Sequence, residues 1–72
     1  MTYGEQAVGL SFNPSGDDLV SEIKRLFAQA IDLCHRERGA TDDGEKKRLF
    51  SVAITEAQTA QMWAVKAVTW QK

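Results

Sequence analysis

Seventy-two residues with nine basic and ten acidic side chains form one domain, residues 1–72, of formal net charge −1, which supplies no basic field to attract DNA. The single cysteine, Cys34, excludes an internal disulfide. The sequence has no 18-residue apolar run and no signal-type apolar start, so we expect a cytoplasmic protein with no membrane partner. A chain this short buries only about 60% of its unfolded surface, and this marginal stability favours self-association.

Residues 1–14 are predicted to form an arm and a turn, with one helical turn around residues 5–8. Gly4 and Gly9 are too closely spaced for a long element. The segment is nevertheless too apolar for a solvated tail, because it carries Tyr3, Ala7, Val8, Leu10 and Phe12. The Asn-Pro pair that follows marks a turn. We therefore expect the arm to dock on the rest of the chain.

Residues 15–39 are predicted to form the first long helix. Ser15, followed three residues later by Asp18, resembles a capping box at its start. The apolar side chains that keep the helical period opposite a charged side are Leu19, Ile23, Leu26, Phe27, Ala30, Ile31 and Cys34. Gly39 stands where a left-handed C-cap residue is expected.

Residues 41–70 are predicted to form the second helix, with Thr41 as its N-cap. No glycine or proline interrupts residues 45–70. The connection of about three residues requires the two helices to fold back antiparallel as a hairpin. A helix from Asp42 to Trp70 would be roughly 43 Å long at about 1.5 Å per residue, which exceeds the length of its long partner. This excess length predicts another molecule beside it.

The carboxyl-terminal part of the second helix is predicted to be buried on more than one side. Between Gln61 and Trp70, apolar side chains point in nearly every direction, whereas a surface helix of a monomer has one stripe. A packing seam for another helix is formed by the small residues Ala57, Ala60, Ala64 and Ala67. These features predict an interlocked homo-oligomer, with Trp63 and Trp70 in its core and Lys66 as a snorkelling interface residue.

Catalytic chemistry has little support in the sequence. Cys34 and His35 are neighbours on a helix and point about 100° apart, so they cannot form a nucleophile and base pair within one chain. Cys34 lies on the apolar face and is interpreted as a core residue, whereas His35 lies towards the surface. The sequence contains no Cys-x-x-Cys, no His-x-x-x-His and no glycine-rich phosphate loop. We expect no enzyme activity, no metal site and no cofactor.

Two segments carry a resemblance to a known family. DDLVSEIKRL in the first helix and AITEAQTAQMWAVKAVTW in the second resemble the paired helical segments of the small phage anti-CBASS and Thoeris anti-defence proteins, which share a helical hairpin. The matching features are Ile23-Lys24, Gln58-Thr59, and Lys66 before Ala67-Val68. The resemblance extends from Phe12 to Trp70. The chain lacks the β-rich portion associated with the Thoeris branch, which makes it more similar to the anti-CBASS branch.

The resemblance implies a cyclic-nucleotide sponge. Such a protein binds cyclic dinucleotides and cyclic trinucleotides in the host bacterial cytoplasm and holds them without cleaving them, so that the defence effector stays inactive. It would assemble as a homohexamer of interlocked hairpins with ligand sites between protomers, in keeping with the predicted self-association. The residues leave two other classes open: an oligomeric helical scaffold that binds a protein partner, and a nucleotide-cleaving enzyme, which is disfavoured because no base or metal site assembles.

The resemblance also implies ligand-binding residues near the start of the first helix. Lys24 matches the family's ligand-binding lysine and is the first choice for a phosphate contact, with Asn13 in the nearby turn. Phe12 would stack on a base where the family uses an N-terminal tyrosine, and Tyr3 is the alternative stacking residue. Structural interpretations stay open for both main candidates. Lys24 would then be a solvated helix lysine, and Phe12 a hydrophobic staple.

Three residues of the second helix complete the predicted ligand-binding set. Arg48 stands where the family carries an arginine and would face a pocket for cyclic trinucleotides. Alternatively, Arg48 pairs with an acidic residue on the neighbouring surface. Gln58 and Thr59 would bond bases or phosphates, or would instead bridge helices across a protomer interface.

Overall fold

The computed structural model describes residues 1–71, which form three helices: α1 (Tyr3–Ala7), α2 (Asp18–Ala40) and α3 (Gly44–Val68). The long helices α2 and α3 pack together as a hairpin, and α1 packs on α2. This part of the chain contains no strand, so the predicted all-α arrangement of a short helix and a hairpin is confirmed. None of the three helices combines the length and the apolar character needed to cross a membrane.

The short helix α1 is stabilised by a capping box at its start and by its contact with α2. Thr2 and Glu5 form a capping box, in which the Thr2 Oγ1 accepts from the Glu5 N–H at 3.1 Å and the Thr2 N–H donates to Glu5 Oε1 at 2.8 Å. The Gly4 N–H donates to Asp32 Oδ1 of α2 at 2.6 Å. A Cβ added at Gly4 would overlap the carbonyl oxygen of Ala28, so α1 approaches α2 at a distance that only glycine permits.

The predicted capping box between Ser15 and Asp18 is wrong. Gly16 adopts a positive φ of 66°, and this turn brings Asp17 to the N-cap position, where its carboxylate accepts from the Leu19 N–H at 2.8 Å. The Ser15 hydroxyl instead accepts from the Asp17 N–H at 3.2 Å. The first long helix therefore begins at Asp18.

The predicted left-handed cap at Gly39 is also wrong. The helix α2 continues through Gly39 to Ala40, and Gly39 is not among the glycines of positive φ. The side chain of Lys47 in α3 reaches back and donates to the Arg38 carbonyl oxygen at 3.1 Å. A cation from the second helix thus satisfies a carbonyl at the end of the first, which a glycine cap would otherwise do.

The predicted N-cap at Thr41 is wrong for a related reason. Because α2 runs one residue further than expected, Thr41 is the extended residue that ends it. The N-cap of α3 is Asp43, whose carboxylate accepts from the Glu45 N–H at 3.0 Å and the Lys46 N–H at 3.3 Å. The connection is three residues long, as the hairpin prediction requires.

The predicted excess length of the second helix over its partner is wrong. The helix α3 has 25 residues and its partner α2 has 23, so α2 covers nearly the whole length of α3. Exposed apolar side chains, rather than helix length, indicate that a partner packs on the hairpin. Of the apolar side chains predicted for the buried face of α2, Leu19 and Leu26 are 47% and 61% exposed. A face that is apolar but uncovered by the chain itself is available to another helix.

The core is small and lies between all three helices. It consists of Val8 from the segment after α1, Ala28 and Ile31 from α2, and Ile54 from α3. Cys34 packs against this cluster, as predicted for a core cysteine. Val20 is a further buried apolar residue of α2. With so few buried apolar side chains, one copy has little apolar burial to offset the entropy of folding.

A second apolar row on α2 lies outside this core. Leu19, Leu26 and Leu33 follow one another at seven-residue intervals and are 47%, 61% and 50% exposed. Seven-residue spacing of leucines is the pattern of a helix that packs along another helix. We call these three residues the leucine row. The helix α3 also carries exposed apolar residues, namely Leu49, Val52, Met62 and Trp63.

Gln61 is buried in the hairpin without satisfying its hydrogen-bonding capacity. Its exposed fraction is 6%, and its Oε1 accepts no hydrogen bond from residues 1–71. A buried acceptor without a donor costs about 1–3 kcal/mol. We predict that Gln61→Met, which keeps the length of the side chain, raises the free energy of unfolding by about 1 kcal/mol.

Denaturant unfolding of Gln61→Met at fixed protein concentration measures this change. Gln58→Met is the matched control. The Gln58 Nε2 donates to the Ala7 carbonyl oxygen at 3.5 Å, and removing this hydrogen bond should not stabilise the protein. A destabilised Gln61→Met variant would contradict the prediction that the buried Oε1 lowers the free energy of unfolding.

Candidate functional site

The side chain of Lys24 lies beneath the turn that joins α1 to α2. Lys24 is only 5% exposed, and its Nζ donates to the carbonyl oxygens of Gly9, at 3.0 Å, and Phe12. Both acceptors belong to the backbone of the turn. The interpretation of Lys24 as a solvated helix lysine is therefore wrong, since the aliphatic stem and most of the ammonium are covered.

The turn closes on itself through short-range hydrogen bonds. The Phe12 N–H donates to the Gly9 carbonyl oxygen at 2.9 Å, and Gly9 has the positive φ of 62° that this tight bend requires. The Gly16 N–H donates to the Asn13 carbonyl oxygen at 3.1 Å. The turn thus has a defined shape, and Lys24 holds it from below.

A concave site of about 250 Å³ opens between this turn and the two long helices. We call it the turn site. Its lining residues come from the turn, from the first part of α2 and from the end of α3: Phe12, Asn13, Pro14, Ser15, Val20, Lys24, Val65 and Thr69. Three of the predicted ligand-binding residues, Phe12, Asn13 and Lys24, are thereby brought together.

Phe12 presents its ring at the mouth of the turn site. The side chain is 73% exposed, and the Lys24 Nζ lies 5.7 Å from the ring centroid, within cation–π range. The alternative interpretation of Phe12 as a hydrophobic staple is wrong, because a staple would be packed against α2. An exposed aromatic ring beside an ammonium can stack on a base while the ammonium attracts a phosphate.

Asn13 has most of its side-chain hydrogen bonds inside the turn. Its Nδ2 donates to the Asp17 carbonyl oxygen at 2.9 Å and to Ser21 Oγ at 3.1 Å, and its Oδ1 accepts from Ser15 Oγ at 2.7 Å. These contacts tie the turn to the start of α2. Asn13 therefore shapes the wall of the turn site.

Arg48 lies outside the turn site, near the start of α3. Its Nε donates to Glu45 Oε2 at 2.9 Å and its Nη2 donates to Glu45 Oε1 at 2.6 Å, which makes a two-pronged ion pair on an exposed surface. The alternative that Arg48 pairs with an acidic neighbour is confirmed. The hydrogen bond from Arg48 holds the pKa of Glu45 below its ordinary value, and the same bond raises the pKa of Arg48.

The ion pair predicts a pH dependence with a definite sign. Because the folded-state pKa of Glu45 is lowered, its contribution to stability is present above the unfolded-state pKa and is lost as the pH falls through the folded-state value. An NMR titration of the Glu45 side-chain carboxyl carbon should give a midpoint below 4.5. In Arg48→Met the midpoint should return towards 4.5, and an unchanged midpoint would contradict the pairing.

Gln58 and Thr59 are also outside the turn site. The Gln58 Nε2 reaches the Ala7 carbonyl oxygen at 3.5 Å, so it bridges α3 to the end of α1 within one chain. The Thr59 Oγ1 donates to the Thr55 carbonyl oxygen of its own helix at 3.2 Å. Thr59 also lines an outward groove of α3 together with Met62, Trp63 and Lys66.

Tyr3 lies at a different place on α2 and does not substitute for Phe12 in the turn site. Its ring stacks on His35, with centroids 4.0 Å apart and an interplanar angle of 5°. The Arg38 guanidinium lies 5.8 Å from the Tyr3 centroid, and its Nη1 donates to Ser51 Oγ at 3.0 Å. This cluster joins α1, α2 and α3 and holds α1 in place.

Five residues that line the turn site were not predicted from the sequence: Pro14, Ser15, Val20, Val65 and Thr69. Val20 precedes Lys24 by one helical turn, and Val65 precedes Thr69 by one turn on α3. That i, i+4 spacing was available in the sequence. The sequence does not specify the register of the hairpin, which places the end of α3 beside the start of α2.

The lining of the turn site combines a cation with an aromatic ring. Lys24 is the cation among its lining residues and Phe12 the aromatic ring, and the lining includes no carboxylate, histidine or cysteine. Residues 1–71 hold no group of three or more His, Cys, Asp or Glu side chains placed to bind a metal ion. The geometry therefore suits an anionic ligand that carries a flat ring.

The chain was compared with known protein families, curated proteins and solved structures. A family described as the Acb2/Tad1 hairpin domain matches residues 4–69, which extend from the second residue of α1 to the C-cap of α3. No curated protein and no solved structure matches the chain. The matched region includes the whole hairpin and the whole turn site.

Proposed function

Because the chain belongs to the Acb2/Tad1 hairpin family of anti-CBASS and anti-Thoeris cyclic-nucleotide sponges, we propose that it binds and sequesters cyclic oligonucleotide immune signals without cleaving them. The ligands are cyclic dinucleotides and cyclic trinucleotides. The place of action is the cytoplasm of an infected bacterium, where removal of the signal prevents activation of a CBASS effector. A source in a phage or prophage follows from the same role.

The observation that carries the proposal is the pairing of an exposed ring with a buried ammonium in the turn site. A cyclic dinucleotide presents flat bases and two phosphates, which require stacking surfaces and cationic or N–H donors. Phe12 supplies the first and Lys24 the second. Two of the three Lys24 N–H groups are occupied by carbonyl oxygens, so one remains for a phosphate oxygen.

One copy of the chain does not complete such a site. Ligand pockets commonly enclose about 300–1,000 Å³, whereas the turn site encloses about 250 Å³ and contributes one ammonium to a ligand with two phosphates. We propose that a second copy closes the site, and that six copies form the functional homohexamer. The leucine row and the exposed apolar residues of α3 form the surfaces that would pack between copies.

We propose that the other predicted residues act only when several copies of the chain have assembled. Arg48 is proposed to face a pocket for cyclic trinucleotides, which requires it to exchange part of its ion pair with Glu45 for a phosphate. Gln58 and Thr59 are proposed as polar contacts to bases or phosphates near the interfaces between copies. Trp63 and Trp70, both 65% exposed in one chain, are proposed to lie in the core of the hexamer with Lys66 between them.

Isothermal titration against a panel of cyclic dinucleotides and cyclic trinucleotides tests the proposal. We expect saturable binding of at least one cyclic ligand and none of the matching linear dinucleotide. Lys24→Ala should weaken the binding of cyclic dinucleotides, while Arg25→Ala, which removes an exposed cation from the next position of α2, should not. If no member of the panel binds, the proposed function is wrong.

The assembly is tested separately by a charge placed in the leucine row. Leu26→Glu should shift the mass measured by analytical ultracentrifugation from the oligomer towards the protomer, because the glutamate would have to be desolvated at the interface. Leu26 is 61% exposed in one copy, so the fold of the protomer should be retained. Arg25→Glu, which places the same glutamate about 100° around α2 from Leu26 and outside the leucine row, is the control that should leave the mass unchanged.

The exposed apolar row also favours a second candidate function, an oligomeric scaffold that binds a protein partner. Such a scaffold would show no binding to any cyclic nucleotide. It would also be insensitive to Phe12→Ala, since Phe12 lies in the turn site rather than in the leucine row. The titration panel therefore separates the two functions.

A further inference from the structure

We infer that Lys24 acts mainly as a positioning residue, whose ammonium holds the backbone of residues 9–12 so that the Phe12 ring is presented to the ligand. This inference deepens the proposed function and rests on it for the binding experiment. The contact of the remaining Lys24 N–H with a phosphate, proposed above, contributes less to binding than this positioning. The positioning effect originates in the ligand-free turn, before any ligand arrives.

The different exposed fractions of Lys24 and Phe12 support a positioning role for the first and a stacking role for the second. Lys24 is 5% exposed and Phe12 is 73% exposed, so a ligand entering the turn site meets the ring before the ammonium. The Lys24 Nζ donates to the carbonyl oxygens of Gly9 and Phe12, which are the two residues joined by the tight bend of the turn. One ammonium thus spans the bend and fixes the backbone of the stacking residue itself.

The electrostatics of the site explain why the turn and the ammonium depend on each other. Neither of the ion pairs found in residues 1–71 involves Lys24, so the carbonyl oxygens of the turn supply the polar surroundings that a buried cation requires. The Phe12 ring adds a cation–π contact from 5.7 Å. Without the ammonium, the two carbonyl oxygens lose a shared donor and the turn loses its anchor to α2.

Amide hydrogen exchange in the ligand-free protein tests the positioning directly. In Lys24→Met, the Phe12 amide, which donates to the Gly9 carbonyl oxygen, should exchange at least about tenfold faster than in the unmodified protein. Amides in the middle of α2 and α3 should keep their rates. Arg25→Met, which leaves the turn untouched, is the control and should alter neither set.

A double-mutant cycle then tests whether the effect on binding passes through Phe12. The probe is cyclic GMP–AMP, which carries two purine bases for stacking. Lys24→Met should weaken its binding about tenfold or more in the native background, but about twofold or less when Phe12 is already alanine. Equal losses in the two backgrounds would overturn the inference and leave Lys24 as an independent phosphate contact.

Two further measurements test the role of Lys24 if Lys24→Met does not fold or if cyclic GMP–AMP does not bind. If Lys24→Met does not fold, the ammonium of the unmodified protein can be followed by NMR with nitrogen-15 lysine. Slow ammonium exchange and hydrogen-bond couplings to the Gly9 and Phe12 carbonyl carbons should then be seen, and their absence would overturn the inference. If cyclic GMP–AMP does not bind, the exchange rate of the Phe12 amide still decides the role of Lys24, and a rate unchanged in Lys24→Met refutes it.

Discussion

Gly4→Ala is expected to destabilise the protein by about 2–4 kcal/mol and to detach α1 from α2. The added Cβ would overlap the Ala28 carbonyl oxygen and lie 2.9 Å from Asp32 Oδ1, which accepts from the Gly4 N–H. Neither neighbour can yield easily, since one is helix backbone and the other is already hydrogen-bonded to Gly4. Detachment would expose Val8, which is 3% exposed in the core.

Thermal unfolding at fixed protein concentration measures this effect. For a domain of this size, about 1 kcal/mol corresponds to roughly 4–8 °C, so the midpoint should fall by about 10 °C or more. Gly39→Ala is the matched control: it adds the same methyl group within α2, meets nothing within 4 Å, and has no positive φ to strain. Gly39→Ala should therefore stabilise the protein by about 0.5–1 kcal/mol. Equal effects of the two substitutions would contradict the docking of α1.

The second large effect is the stabilisation of the protein by its ligand. A ligand that binds only the folded state at a free concentration 100 times its Kd adds about 2.7 kcal/mol to the free energy of unfolding. The midpoint should then rise by about 10 °C or more when the preferred cyclic nucleotide is added. The linear dinucleotide of the same bases at the same concentration should produce little shift, because it lacks the closed ring that fixes both phosphates.

Phe12→Ala tells whether this stabilisation involves the turn site. Stacking of a base on an aromatic side chain is worth about 1–3 kcal/mol, so the ligand-induced rise should become smaller in Phe12→Ala at the same ligand concentration. Because Phe12 is 73% exposed, the midpoint without ligand should change little. A full ligand-induced rise in Phe12→Ala would place the ligand elsewhere.

Local sequence rules predicted the elements of this fold well and their ends poorly. The hairpin followed from the helical period and the short connection, and the one helical turn predicted around residues 5–8 overlaps α1. The end of α2 did not follow, because Lys47 from the next helix satisfies the Arg38 carbonyl oxygen and removes the need for a glycine cap. A tertiary contact between side chain and backbone is invisible to a rule that considers neighbours along one helix.

In the candidate site too, local features were predicted and tertiary contacts were not. Phe12, Asn13 and Lys24 were predicted and lie together, since they are close in sequence and joined by a tight turn. The burial of Lys24 was not predicted, because it depends on carbonyl oxygens whose positions are set by the shape of the turn. Residues of α3 joined the site only through the register of the hairpin. Sequence patterns do not specify contacts between side chains and the backbone of a turn, or contacts between helices.

A cyclic-nucleotide sponge must hold its ligand tightly and leave it intact. This requirement is tested by mixing stoichiometric protein and cyclic dinucleotide, measuring the free ligand by equilibrium dialysis, and then heating the complex and identifying the released nucleotide by chromatography. We predict that free ligand is depleted before heating and that the same cyclic compound is recovered in full afterwards. Undepleted ligand would show that the protein does not sequester the nucleotide, and recovery of a linear product would show that it cleaves it.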